Sequence, residues 1–267
     1  LSLMTSVETL CSTLAQIAPL RLAEAWDNVG LLVGDRNRDV QRVMTCLTIS
    51  PAVVDEAIGQ QVDLIVAHHP LPFKALQRIT TDTIAGSMLL RLIASGVAIY
   101  SAHTAFDSAH EGINQMWADS VGLQQSAALL EPADDLQWGA GRAGMLPKPA
   151  TLQTLIEQTA RAVGATAPRR VGAAGQPVSK VGFACGSGGS FLAAAHRAGC
   201  DALITGEATF HTCLEAESLG IGLGLLGHYW SERFAMERLA VQLSEAWSEL
   251  TIWPSKSEHD PIEPVFS

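Results

Sequence analysis

The apolar positions change period several times along the chain. Val7, Leu10, Leu14 and Ile17 recur at helical spacing behind Thr5-x-x-Glu8, which has the form of a capping box. A helix is therefore predicted up to the residue before Pro19. Trp26-Asp27-Asn28-Val29-Gly30 leads into the short apolar run Leu31-Leu32-Val33, closed by Gly34, which reads as a strand. Val43 to Ile49 reads as a second strand. Ser50-Pro51 then opens a helix through about Gln60, with Ser at the N-cap and Pro at the first helical position. Leu64-Ile65-Val66-Ala67 is apolar at every residue, the pattern of a buried strand, and it ends at His68-His69-Pro70. A helix from about Thr81 to Ala94 precedes the strand Val97 to Ser101, which ends at His103-Thr104-Ala105-Phe106-Asp107. Residues 110–121 and 151–163 are helical, the second amphipathic, and the mixed stretch 124–147 holds a connection and a strand. Strands alternating with helices predict an α/β architecture.

The second half repeats the first. Lys180 to Cys185 is a strand followed by Gly186-Ser-Gly-Gly-Ser190 and a helix. Cys200 to Thr205 is a strand ending at Gly206-Glu207, and Asp201 stands 138 residues after Asp63. Cys185 stands 139 after Cys46, and Gly96 to His103 parallels Gly220 to His228 with one extra residue. The pattern predicts two similar α/β lobes, residues 1–123 and 124–267, that together form one compact unit. In open α/β sheets ligands bind beyond the carboxyl ends of strands, and the residues of chemical interest fall there.

Composition narrows the classes. Hydrophobic residues make up 48% and charged residues 16%, which excludes global disorder. The formal charge is -10 and no basic run exceeds Arg169-Arg170, so nucleic acid is not an expected partner. A low charge fraction also fits a surface partly covered by subunit contacts. The five cysteines are odd in number and lack C-x-x-C, which suits buried thiols rather than a disulfide framework or a zinc finger. With no signal peptide and no apolar run of membrane-spanning length in the sequence, the expectation is a cytoplasmic protein with no membrane partner.

Three strand ends carry the candidate chemistry. Burying two imidazoles costs free energy unless each is paired, so His68-His69 after an apolar strand points to ligands, and divergent neighbouring side chains would suit two acceptors. His228 and Glu232, at i and i+4, share a helix face. Asp107 fits either an N-cap or a carboxylate bridging two metals. Imidazole with carboxylate suits Zn, Fe, Mn or Ni. His103, Glu207 and His211 lie at equivalent strand ends as candidates for acid–base work or for orienting ligands. Trp26, Asp27 and Asn28 either line the mouth of a site for a planar substrate or form a buried indole with its loop. Gly186 to Ser190 is either an anion-binding nest or a tight strand-to-helix turn. Cys185 is the best nucleophile candidate among the thiols, against the plainer reading of a buried strand cysteine. The prolines from Pro254 onward predict an extended tail, with His259 and Asp260 as contacts.

Five segments carry a family resemblance: Trp26 to Gly30, Ala67 to Leu71, Ser101 to Asp107, Thr205 to His211 and Gly227 to Glu232. In this order the chain resembles the Nif-three-like (NGG-interacting factor three) family, whose members are often called GTP cyclohydrolase I type 2 homologues. The resemblance implies two divalent metal ions per chain, with His68, His69, Asp107, His228 and Glu232 at the ligand positions. It further implies two related α/β lobes and a homohexameric ring. Ala105 and Phe106 depart from the Asn-Leu usual before the ligand Asp, which removes a polar contact and bears on the substrate. The short 124–180 region matches the family's compact form.

Two functions are consistent with these features. One is a metal-dependent hydrolase acting on a nucleotide-like substrate, by analogy a GTP cyclohydrolase or a phosphoesterase; no P-loop is present for the phosphates. The other is a non-enzymatic metal-binding scaffold or interaction protein. A serine hydrolase is not supported, since the chain has no G-x-S-x-G elbow.

Overall fold

Short, fully buried strands lie at the centre of each sheet. The structure, a computed structural model, describes residues 5–130 and 139–265. It divides into two units, residues 1–106 with 235–259 and residues 107–234 with 260–267. The boundary passes through two helices, α4 (His103–Ser108) and α9 (His228–Ala246). The sequence pattern predicts a single cut between 123 and 124. Residues 107–123 instead go with the second unit, because the helix α5 (Ile113–Ser120) packs on that unit's sheet. Residues 235–259 go with the first unit, to which they supply a strand.

The first unit opens with α1 (Val7–Ile17), whose N-cap is Ser6, its side chain accepting from the Thr9 amide. The cap thus lies one residue after the expected Thr5, whose carbonyl accepts from the Val40 amide. The next elements are β1 (Gly30–Val33), β2 (Arg42–Cys46), α2 (Pro51–Gly59), β3 (Leu64–Ala67), α3 (Ile84–Ala94), β4 (Ala98–Ser101) and α4. Ser50 caps α2 with Pro51 at its start, as predicted. β2 stops at Cys46, short of Ile49, because the next amides, Leu47 and Thr48, donate to the Glu258 carboxylate instead of to a strand. Every residue of β3 and β4 is buried, as parallel strands covered on both faces require.

The second unit contains α5, β5 (Gln124–Ala127), β6 (Arg142–Thr151), α6 (Leu152–Val163), β7 (Arg169–Val171), β8 (Pro177–Ala184), α7 (Leu192–Arg197), β9 (Ala202–Thr205), α8 (Phe210–Leu219), β10 (Gly222–Leu225) and the start of α9. Its sheet runs β5-β6-β8-β9-β10-β7, with β8, β9 and β10 parallel. The chain then returns to the first sheet through β11 (Thr251–Pro254), giving the order β1-β4-β3-β2-β11. The expected extended tail therefore starts at the last residue of a strand. Its next residues are tied to the first unit by Glu56, which accepts from the amides of Lys256 and Ser257, and by the bonds of Glu258.

The internal repeat is visible in the registers. Val43 pairs with Leu64, and Val181 pairs with Ala202, each partner 138 residues on. The same spacing equates Cys46 with Ala184, so the cysteine landmark is displaced by one residue from the true repeat. Leu64 pairs with Ala98 and Ala202 with Gly222, so the third strands stand 124 residues apart, and His103 falls at the place of Gly227. Both residues have left-handed backbones, with φ of 33° at His103 and 92° at Gly227. That conformation is ordinary for glycine and strained for histidine.

Candidate metal-binding site

In the first unit three imidazoles converge. His68 and His69 leave β3, and His103 starts α4 after β4. One ligand atom of each lies within 4.8 Å of the others. The His68 and His69 rings are 5.1 Å apart and do not diverge as adjacent strand residues would. They sit in a bend past the end of β3, where the period of two no longer applies. The Ser101 hydroxyl donates to the His68 carbonyl at 2.6 Å and ties the two strand ends together.

Each of two rings has a dedicated partner at Nδ1. Asp27 Oδ1 lies 2.8 Å from His103 Nδ1, and its other oxygen accepts from the amide and hydroxyl of Thr104. Burial pushes the Asp27 carboxyl up, but the bonds from His103 and Thr104 outweigh it and bring it down to about 2. His69 Nδ1 lies 2.7 Å from the Thr48 hydroxyl. Glu258 in turn accepts from the Thr48 and Leu47 amides, so the residues after β11 brace the support of His69. Partners of this kind fix ring orientation and tautomer in metal sites.

Trp26 is 62% exposed, which excludes the buried-indole alternative. Its ring lies 5.9 Å from that of His103 and 6.1 Å from that of the exposed Phe73. Asn28 donates to the Pro72 carbonyl and orders this loop. Ala105 and Phe106 are buried, and Phe106 lines a small apolar cavity with Leu14, His68 and Met236.

The second unit carries the carboxylates. Asp107 is the fifth residue of α4 and therefore does not cap it. Its Oδ1 accepts from the Cys185 thiol at 3.1 Å. Asn114, on α5, accepts from the Cys185 amide and donates to the Asp107 carbonyl. Burial, with the nearby charges of Asp107 and Glu232, pushes the Cys185 thiol well above its ordinary value. That is the opposite of what a nucleophilic cysteine needs.

His228, at the start of α9, lies between two carboxylates. Its Nδ1 is 2.9 Å from Glu207 Oε1 and its Nε2 is 3.1 Å from Glu232 Oε2. The bond to Glu232 raises its pKa most; burial opposes this, the charge of Glu232 and the bond to Glu207 add to it, and the ring reaches about 9. The bonds from His228 and the Ser187 hydroxyl hold Glu207 below the usual carboxylate range. Glu207 is therefore in direct contact with His228. His211 lies exposed on α8 with its ring against Phe210, and among the described residues no hydrogen bond or ion pair joins it to Glu207 or His228.

The local backbone makes room for these donors. A Cβ at Gly186 would clash with Glu232 Oε1 and stand 3.4 Å from His228 Nε2. The φ of 58° at this residue also requires glycine. Gly188 and Gly189 are buried, and side chains there would strike Thr205, Ala184 and Ala208. The glycine run is therefore a tightly packed strand-to-helix turn. An imidazole–carboxylate pair with a second carboxylate behind the ring is a donor set that fits a divalent ion. The sequence alone does not single out Thr48, Glu258, Asn114 or Ser187, since nothing local distinguishes a ligand's hydrogen-bond partner from any other polar residue.

No helix of the described residues is long and apolar enough to cross a membrane. A family model described as Duf34/NIF3 (NGG1p interacting factor 3) matches residues 5–261. A Clostridium perfringens protein named GTP cyclohydrolase 1 type 2 homolog is 31% identical over 95% of this chain and 97% of its own length. A Helicobacter pylori protein named GTP cyclohydrolase 1 type 2 is 33% identical over 86% of this chain and 88% of its own. A Staphylococcus aureus hypothetical protein of known crystal structure superposes with a TM-score of 0.89 at 24% identity, over 97% of this chain and 99% of that one.

Proposed function

The chain belongs to the Duf34/NIF3 family, and from that premise we propose that it is a metal-dependent hydrolase. His68, His69, Asp107, His228 and Glu232 are the proposed ligands of two divalent ions. The observation that carries this reading is the Glu207–His228–Glu232 chain, in which one carboxylate orients an imidazole toward another. The imidazole cluster of His68, His69 and His103 supports it independently.

A bound pair of divalent ions would supply an activated water and neutralise developing negative charge. The chain's own groups do the rest. Asp27 holds the His103 ring through its Nδ1, and an imidazole so oriented suits acid–base work. Glu207 is bonded to His228 Nδ1 and so can hold this ring in place. Trp26 and Phe73 offer exposed aromatic faces beside His103, suited to a planar substrate such as a nucleobase. The names of the Clostridium and Helicobacter relatives favour a nucleotide of the GTP type.

The test is zinc, iron, manganese and nickel content of chain purified without chelator, for wild type and Asp107→Ala, followed by turnover of GTP and phosphoesters. About two ions per wild-type chain, lost in the variant, with turnover that depends on His103, is the expected result. Metal bound normally with no turnover on any nucleotide would favour the scaffold reading. The assembly proposed is a homohexamer, which sedimentation of the intact protein checks.

A further inference from the structure

We propose that Asn114 and Cys185 form a two-point clamp on Asp107, acting as positioning residues that set how firmly this carboxylate holds an ion. The inference rests on the reading of Asp107 as a ligand. Asp107 lies in a six-residue helix, too short to hold its own geometry. Asn114 is 2% exposed and spends its amide on two different elements. Its Oδ1 accepts from the Cys185 amide at 2.9 Å, just past β8, and its Nδ2 donates to the Asp107 carbonyl at 3.0 Å. The orientation of the amide is dictated by these partners, because one is a donor and the other an acceptor. Cys185 Sγ then donates to Asp107 Oδ1 at 3.1 Å. The clamp holds the backbone of Asp107 through one residue and its carboxylate through the other.

Each part has a chemical requirement. Aspartate at 114 keeps an acceptor for the Cys185 amide but loses the donor to Asp107. Serine at 185 keeps a hydrogen-bond donor, and alanine removes it. Partners of this kind change metal affinity by about 10–100-fold.

The experiment loads the full chain with zinc and follows its release to excess chelator, with urea unfolding of the zinc-free proteins as the check on folding. Cys185→Ala and Asn114→Asp are expected to release zinc roughly 10-fold faster or more, with Cys185→Ser restored to about the wild-type rate. Wild-type release by Cys185→Ala, or a Cys185→Ser as fast as Cys185→Ala, overturns the clamp. The cysteine pair decides the matter even if Asn114→Asp does not fold. Asp107→Ala separates the two readings. Loss of zinc there alongside normal release from Cys185→Ala defeats the clamp alone. Wild-type retention in Asp107→Ala defeats both the clamp and the ligand assignment beneath it.

Discussion

Asp63 and Asp201, 138 residues apart, perform the same task in their respective units. Asp63 Oδ2 accepts from the amides of Gln41 and Arg42 at 2.9 and 3.0 Å. Asp201 Oδ2 accepts from those of Ser179 and Lys180 at 2.8 and 2.9 Å. Each aspartate precedes a central strand and fixes the neighbouring strand's entry into the sheet. Replacing either with alanine removes two charge-assisted hydrogen bonds and should cost about 1–3 kcal/mol. Urea denaturation should find losses of similar size for the two variants, and a loss at only one of them would contradict the equivalence.

Asp27 gives a pH prediction. Its folded pKa, about 2, is below the ordinary value of 3.8. A depressed carboxylate adds stability above the unfolded value, and that stability is lost as pH falls through the folded one. Asp27→Asn should therefore be less stable by about 2 kcal/mol at neutral pH, with the gap closing between about pH 4 and pH 2. Thermal melts of both proteins across that range would show it, and a gap that persists unchanged at the acid end would refute the assignment.

Arg142 is 3% exposed, and oxygens of its own unit hold it. It donates to Gln115 Oε1 and to the carbonyls of Ala109, Gly139 and Gly141. Burial lowers its pKa and the nearby Asp119 raises it. Arg142→Met should destabilise by about 3 kcal/mol or more, since several buried carbonyls lose their donor at about 1–3 kcal/mol each. Arg142→Lys should recover little of this, because an ammonium cannot span the same fork of acceptors. Denaturant midpoints of the two variants test both statements.

Gly186→Ala combines a left-handed backbone with a clash against Glu232. The backbone alone should cost about 1–2 kcal/mol. If Glu232 binds metal, zinc content should fall further than this loss of stability explains. Metal analysis of folded variant, separated by size, provides the comparison with wild type.

The sequence by itself determined the elements and the polar groups at their ends. Leu64 to Ala67 is apolar throughout and forms a central parallel strand, Ser50-Pro51 caps a helix, and the motif at His68-His69 marks a strand end. These features are local, set by period, turn chemistry and capping, so they are readable within a few residues. The family was legible for the same reason, since its motifs are short and stand in order. Only the tertiary structure decided which groups support which. The pairing of Thr48 with Glu258 spans 210 positions, and that of Asn114 with Cys185 spans 71. The strand Thr251–Pro254 joins the sheet of β2 with Thr251 paired to Arg42, 209 positions earlier. The contact of His103 with Asp27 joins residues 76 positions apart. A polar side chain carries no local mark of the distant atom it will satisfy, because that partner is chosen by the packing of the sheets.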